Sequence, residues 1–246
     1  KGTNRFINRG KEETLEIGAD KNDEMNARKF MLLCRSVIQT AKANKVKKIA
    51  LQFDETLELF KNLKGCTKDE LAQLASENFE MANFDFNIFK TKPEDGWNDI
   101  EEILLFSVQP AKLEKAVRKG QEIGKAINAC RVLSNTPGGD MTPTLLAEAA
   151  KDAVKGLPVK VTTLGKKEMK KIGMGAILGV ARGSSEEPTF TIMEYRPQGA
   201  KNKKPIVLVG KGVTFDSGGL NIKQSSNMYE MHMDMSGASA VIHAVA

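Results

Sequence analysis

The sequence has no run of 18 apolar residues, and its opening decapeptide, KGTNRFINRG, lacks the apolar centre of a secretory signal. No membrane span or intact signal is therefore expected, and the cytoplasm is the default location. Cysteine is scarce: Cys34, Cys66 and Cys130 are odd in number, far apart and without C-x-x-C or Cys/His spacing. That pattern fits three reduced thiols and argues against a disulfide framework. Aromatic residues make up only 6% of the chain. The net charge of +6 and pI near 9.1 would permit nucleic-acid binding. The lysines, however, are dispersed among glutamates and aspartates with few aromatics between them, as on solvated helix faces. Nucleic acid and membrane are accordingly not expected as partners.

What is present suffices for folding. With 246 residues, 41% hydrophobic and 28% charged, the chain can bury one large core or two small ones. Apolar positions Met25, Phe30, Leu33, Val37, Ile38 and Ala41 recur near a 3.6 period and predict a helix over 23–44. A strand over 46–53, a helix over 68–83 and short strands at 86–90 and 103–108 follow, with a turn-rich loop at 93–98. This alternation predicts a small α/β domain with a mainly parallel sheet. Pro110 opens a long helix, interrupted only by Gly120 and Gly124 and ending before Asn135-Thr136-Pro137. Thr142 as N-cap with Pro143 behind it starts a helix to about 155. A strand at 159–163, a helix at 166–172 and strands at 176–181, 189–195 and 205–210 complete the pattern. The expected fold is α/β throughout, with an N-terminal domain over 1–111 and a second α/β domain with a mixed sheet over 112–246. Residues 112–134 of the latter form a linker helix.

Residues 205–219 read PIVLVGKGVTFDSGG: a buried-type apolar strand that runs into a glycine-rich loop carrying Lys211 and Asp216. Strand carboxyl ends in open α/β sheets are where ligands bind. A phosphate loop is a rival reading, but neither the Walker A spacing nor the dinucleotide fingerprint is met. Downstream, Lys223 follows Leu220-Asn221-Ile222, and Asp234 sits among Met231, Met233 and Met235 before Ser236-Gly237-Ala238. The methionines suit core filling. A carboxylate drawn inward among them needs a partner, and a cation would serve.

The run from Val209 to Lys223, followed by Met228 and the Asp234-Met-Ser-Gly-Ala block, resembles the leucyl aminopeptidase (cytosol aminopeptidase) family of two-metal exopeptidases. Its intervals match that family's pattern from Lys211 to Asp216, on to Lys223 and on to Asp234. Weaker similarity extends through 173–184, Glu194-Tyr195 and 129–137, so the resemblance is specific over 112–246. It implies that Asp216 bridges two divalent ions, that Lys211 and Asp234 complete the shell of one of them, and that Lys223 is catalytic. As an ammonium, Lys223 would polarise the scissile carbonyl and stabilise the oxyanion while a hydroxide activated by two metal ions attacks. Lysine ligates only as the free amine, which two neighbouring dications favour by charge repulsion. Mn2+, Zn2+ and Mg2+ all suit such a mixed oxygen and nitrogen site. Peptides with a free N-terminus are the implied substrates and a homo-hexamer the implied full-length assembly. His232 falls outside the ligand pattern, and His243 lies in an apolar helix; both are expected to be structural.

The family's second ligand block, Asn-Thr-Asp-Ala-Glu-Gly-Arg, does not occur here. The lone Asp-x-Glu is Asp99-Ile100-Glu101, in the wrong domain and without the Gly-Arg. Lys1 is not a methionine, and the apolar pattern of 241–246 has no terminating residue. The expectation is a fragment, cut before the second block, that by itself shows little peptidase activity and weak metal affinity. The alternative is a complete, non-catalytic binding or scaffold protein, with nucleic acid as one partner to consider.

Overall fold

The computed structural model describes residues 5–8, 13–18, 25–200 and 204–246. The chain divides into two compact units, Lys1–Asn128 and Ala129–Ala246. Among the described residues no helix is long and apolar enough to cross a membrane.

In the first unit, β1 (Arg5–Asn8) pairs antiparallel with β2 (Glu13–Glu16). Helix α1 (Ala27–Ala43) starts where the Asn26 side chain accepts the Lys29 N–H, satisfying an otherwise orphaned donor. β3 (Lys48–Gln52) turns directly into α2 (Phe53–Leu59), so the strand expected over 46–53 is shorter than its apolar run. Helix α3 (Lys68–Asn83) opens on a reciprocal capping box between Thr67 and Glu70. The chain then returns as β4 (Glu102–Phe106), parallel to β3 with Ile49 opposite Ile103. Phe30, Ile38, Phe53, Leu57 and Leu71 form a nearly solvent-free core. The loop between α3 and β4 is tied down by Asn83, which accepts from the Ile100 N–H and donates to the Ile100 carbonyl, each at 2.8 Å.

The strand expected at 86–90 is absent. Ile88 and Phe89 are exposed in a turn, and the Phe86 and Phe89 rings pack on each other at 5.9 Å. The two rings pack locally and the segment does not join the sheet.

Helix α4 (Pro110–Asn135) packs on α3 at unusually close range. A Cβ at Gly120 would lie 2.2 Å from the Gln73 carbonyl oxygen, and one at Gly124 would lie 2.5 Å from Glu80 Cβ. The two glycines that interrupt the helix pattern are therefore its contact face. Ser76 donates to the Val117 carbonyl at 2.8 Å across the same seam.

In the second unit, Thr142 caps α5 (Pro143–Ala153), with Pro143 in the first turn. β5 (Val159–Leu164) pairs antiparallel with β6 (Phe190–Tyr195), Val161 facing Met193. Between them lie α6 (Lys166–Lys171) and α7 (Gly175–Val180). The strand expected at 176–181 is thus a helix followed by one 3-10 turn. A six-residue apolar run carries no period long enough to separate the two conformations. The strand expected at 205–210 also does not form as a paired strand: the segment has no regular structure, and Ile206, Val207 and Val209 are largely exposed. α8 (Ser225–Met228) and α9 (Ser236–Val245) complete the chain, with Met141, Leu146, Ala150, Met235 and Ile242 as the local core.

Candidate metal centre

The loop after residue 210 and the turn before α9 bring the four predicted site residues into two charge pairs. Lys211 Nζ lies 2.5 Å from Asp234 Oδ2, and Lys223 Nζ lies 3.1 Å from Asp216 Oδ2.

Asp216 owes its pose to its own loop. Its Oδ1 accepts the Gly218 N–H at 2.9 Å, a local Asx-type turn. The Lys223 N–H closes the same loop onto the Ser217 carbonyl at 2.9 Å. Gly218 and Gly219 both have positive φ, and a Cβ at Gly218 would lie 2.3 Å from the Asn221 carbonyl oxygen. The Ser-Gly-Gly sequence is thus what lets residues 216–223 close on themselves. The Gly218 amide first, and the Lys223 ammonium second, hold the Asp216 carboxyl below the usual aspartate range.

Asp234 arrives from a different element, a 3-10 turn over Met231–Met233 that leads into α9. Its side chain is only 17% exposed. Oδ2 is buried and has no aligned hydrogen-bond donor, although the Lys211 ammonium stands within ion-pair distance. The Lys211 ammonium thus supplies the counter-charge that a buried carboxylate needs. Lys223 is anchored by a further contact that the spacing of charged residues does not reveal: Nζ donates to Met231 Sδ at 3.3 Å. A methionine three residues before Asp234 reads as core filling, and only the turn geometry brings it to the lysine. His243 Nδ1 lies 2.9 Å from the Ser239 carbonyl oxygen inside α9, a local role.

Among the described residues no three His, Cys, Asp or Glu side chains converge as a metal site. The cluster offers two carboxylates and one lysine amine, which fits part of the shell of a divalent ion, with Lys223 left beside it as a cation.

Residues 128–246 match the model of the cytosol aminopeptidase family, catalytic domain. The chain is 36% identical over 244 residues to a probable cytosol aminopeptidase of Chlorobaculum parvum, covering 96% of this chain and 48% of that protein. It is 41% identical over 186 residues to the probable cytosol aminopeptidase of Chlorobaculum tepidum, covering 72% of this chain and 37% of that protein. The structure of the bottromycin maturation enzyme BotP in complex with Mn superposes with a TM-score of 0.79 at 22% identity, over 100% of this chain and 49% of that one, a likeness of fold. The chain thus spans about half the length of the curated relatives it matches. On the matched catalytic domain and on the identity sustained along nearly its whole length, this chain belongs to the cytosol aminopeptidase family.

Proposed function

We propose that this chain supplies the Lys211, Asp216, Lys223 and Asp234 part of the active site of a metalloaminopeptidase that releases N-terminal amino acids from peptides. The observation that carries the reading is that two carboxylates and two lysines form two ion pairs, Lys211–Asp234 and Lys223–Asp216, with Lys223 also reaching Met231 in the turn that leads to Asp234. Asp216, Asp234 and the Lys211 amine would hold divalent metal. Bound there, such ions supply Lewis acidity toward the scissile carbonyl and a point of attachment for the substrate's free α-amine. Lys211 serves only with a free lone pair on Nζ, so its pairing with Asp234 gives way when a metal occupies the site. Lys223, which contacts Asp216 and Met231, would donate from Nζ to the carbonyl oxygen of the scissile bond as negative charge develops there. The donor set suits Mn2+ or Zn2+, with Mg2+ also compatible. Assembly of the full-length protein as a homo-hexamer and a cytoplasmic location belong to the same reading, and rest on the family resemblance.

Calorimetric titration of Mn2+ into the chain tests it. Weak binding is expected in the wild type and none in Lys211→Arg, because guanidinium keeps its charge where a neutral nitrogen is needed. Equal affinity in the two proteins would overturn the assignment.

A further inference from the structure

The pairing of Lys211 with Asp234 depends on how closely two backbones approach. A Cβ built on Gly210 would lie 2.5 Å from the Gly237 carbonyl oxygen, 2.6 Å from Ala238 Cα and 2.7 Å from Ala238 N. All three neighbours are backbone atoms at the start of α9, so none can rotate away. From the other side, a Cβ on Gly237 would meet Lys211 N at 3.0 Å. Between the two glycines the Ala238 N–H donates to the Lys211 carbonyl at 2.8 Å. The Lys211 main chain thus lies flat on the first turn of α9, and Asp234 stands just before that turn. By contrast, a Cβ on Gly212 would make ordinary contacts, 3.4 Å to Ala238 Cβ and 3.6 Å to Leu146 Cδ2.

We infer that Gly210 and Gly237 are positioning residues for the metal centre: their mutual backbone approach, locked by the Ala238 to Lys211 hydrogen bond, sets the Lys211–Asp234 pair. The inference rests on reading that pair as neighbouring ligands. A methyl group at Gly210 forces the 205–211 segment off α9 and carries the Lys211 amine away from Asp234. The Asp216–Lys223 pair is closed within its own loop by the Gly218 and Lys223 amides and does not depend on this approach.

Zero-length carbodiimide coupling reads both pairs in the chain without added metal. The reagent activates a carboxylate, an amine in contact displaces the urea, and peptide mapping by mass spectrometry quantifies each amide formed. In the wild type, couplings of Lys211 to Asp234 and of Lys223 to Asp216 are expected, with Lys68 to Asp54, 2.8 Å apart, as an internal standard in the other unit. In Gly210→Ala, Lys211–Asp234 coupling should fall about tenfold, since yield drops steeply when reacting groups are misplaced by an ångström. The other two couplings should hold. Gly212→Ala, a methyl added two residues along the same loop, should leave all three unchanged. Undiminished Lys211–Asp234 coupling in Gly210→Ala would overturn the inference. So would its absence from the wild type, or a parallel loss of both site couplings in Gly210→Ala, which would mark a general folding role. The metal reading is scored separately by the Mn2+ titration, so either can fail without the other.

Discussion

Gly120→Ala sets two effects against each other. In an exposed helix the change would stabilise the fold by about 1 kcal/mol, because alanine is the better helix former. Here the added Cβ would start 2.2 Å from the Gln73 carbonyl oxygen and 3.0 Å from the Glu77 nitrogen. Real Cβ contacts essentially never fall below 3.0 Å, so α3 and α4 have to part by at least 0.8 Å, the difference between 3.0 and 2.2. A gap of that size forfeits roughly a quarter to a half of the dispersion attraction across the seam. Overpacking of this kind costs about 1–3 kcal/mol. The Ser76 to Val117 hydrogen bond crosses the same seam and adds about 1 kcal/mol when stretched. Packing therefore outweighs propensity, and the net loss is about 1–3 kcal/mol. Urea denaturation followed by far-ultraviolet circular dichroism should show a lower midpoint at unchanged slope. Gly179→Ala in α7, where a Cβ meets nothing within 4 Å, is the control and should be neutral or stabilising. A Gly120→Ala protein at least as stable as the wild type would mean that the α3–α4 seam takes up the extra methyl without loss of packing.

Three further outcomes are expected. The Asp54 carboxyl is held at about 2 by hydrogen bonds from Lys68, then Ser107, then the Val108 amide. Its contribution to stability is complete above its ordinary 3.8 and is lost as pH falls toward 2; Asp54→Asn should therefore show a shallower decline of the urea midpoint over that window. Burial pushes the Cys34 thiol up to about 12, so an aromatic disulfide reagent should titrate Cys66 and Cys130 in the native chain and Cys34 only on unfolding. Because the folded-state value is raised, the Cys34 contribution to stability is intact below about 9 and declines as pH rises toward 12. Among the described residues only two carboxylates and one amine stand as candidate metal donors, so the 246-residue chain should release no p-nitroaniline from its leucyl derivative above the uncatalysed rate; efficient turnover would overturn that expectation.

Elements whose hydrogen bonds are local were legible in the sequence. The α1 periodicity, Pro143 behind Thr142 and the turn at Thr136-Pro137 each act within a few residues, and the helices formed where these signals lay. Apolar runs were legible only in part: those expected at 46–53, 103–108, 159–163 and 189–195 paired as strands, but 86–90 became a turn and 176–181 a helix, because a strand exists only by virtue of a distant partner. The failure of residues 205–210 to form a paired strand is the same lesson, since a buried-type composition specifies burial without specifying what covers it. At the candidate metal centre, Lys211, Asp216, Lys223 and Asp234 were singled out through the family resemblance, and the fold joins them in two ion pairs. The devices that aim them could not be read from the sequence. Gly210 against Gly237 and Met231 against Lys223 are contacts made by the fold, between segments whose separation in sequence carries no signal.

Under the proposed function, Lys211, Asp216 and Asp234 would together hold divalent metal. Paramagnetic broadening by Mn2+ in amide-resolved NMR of the chain locates a bound ion directly. The amides of Lys211, Gly218 and Met235 should broaden first, at substoichiometric Mn2+, and Asp216→Asn should abolish the effect. Broadening that begins instead around Asp85, Asp95 and Asp99, or that survives Asp216→Asn unchanged, would contradict it.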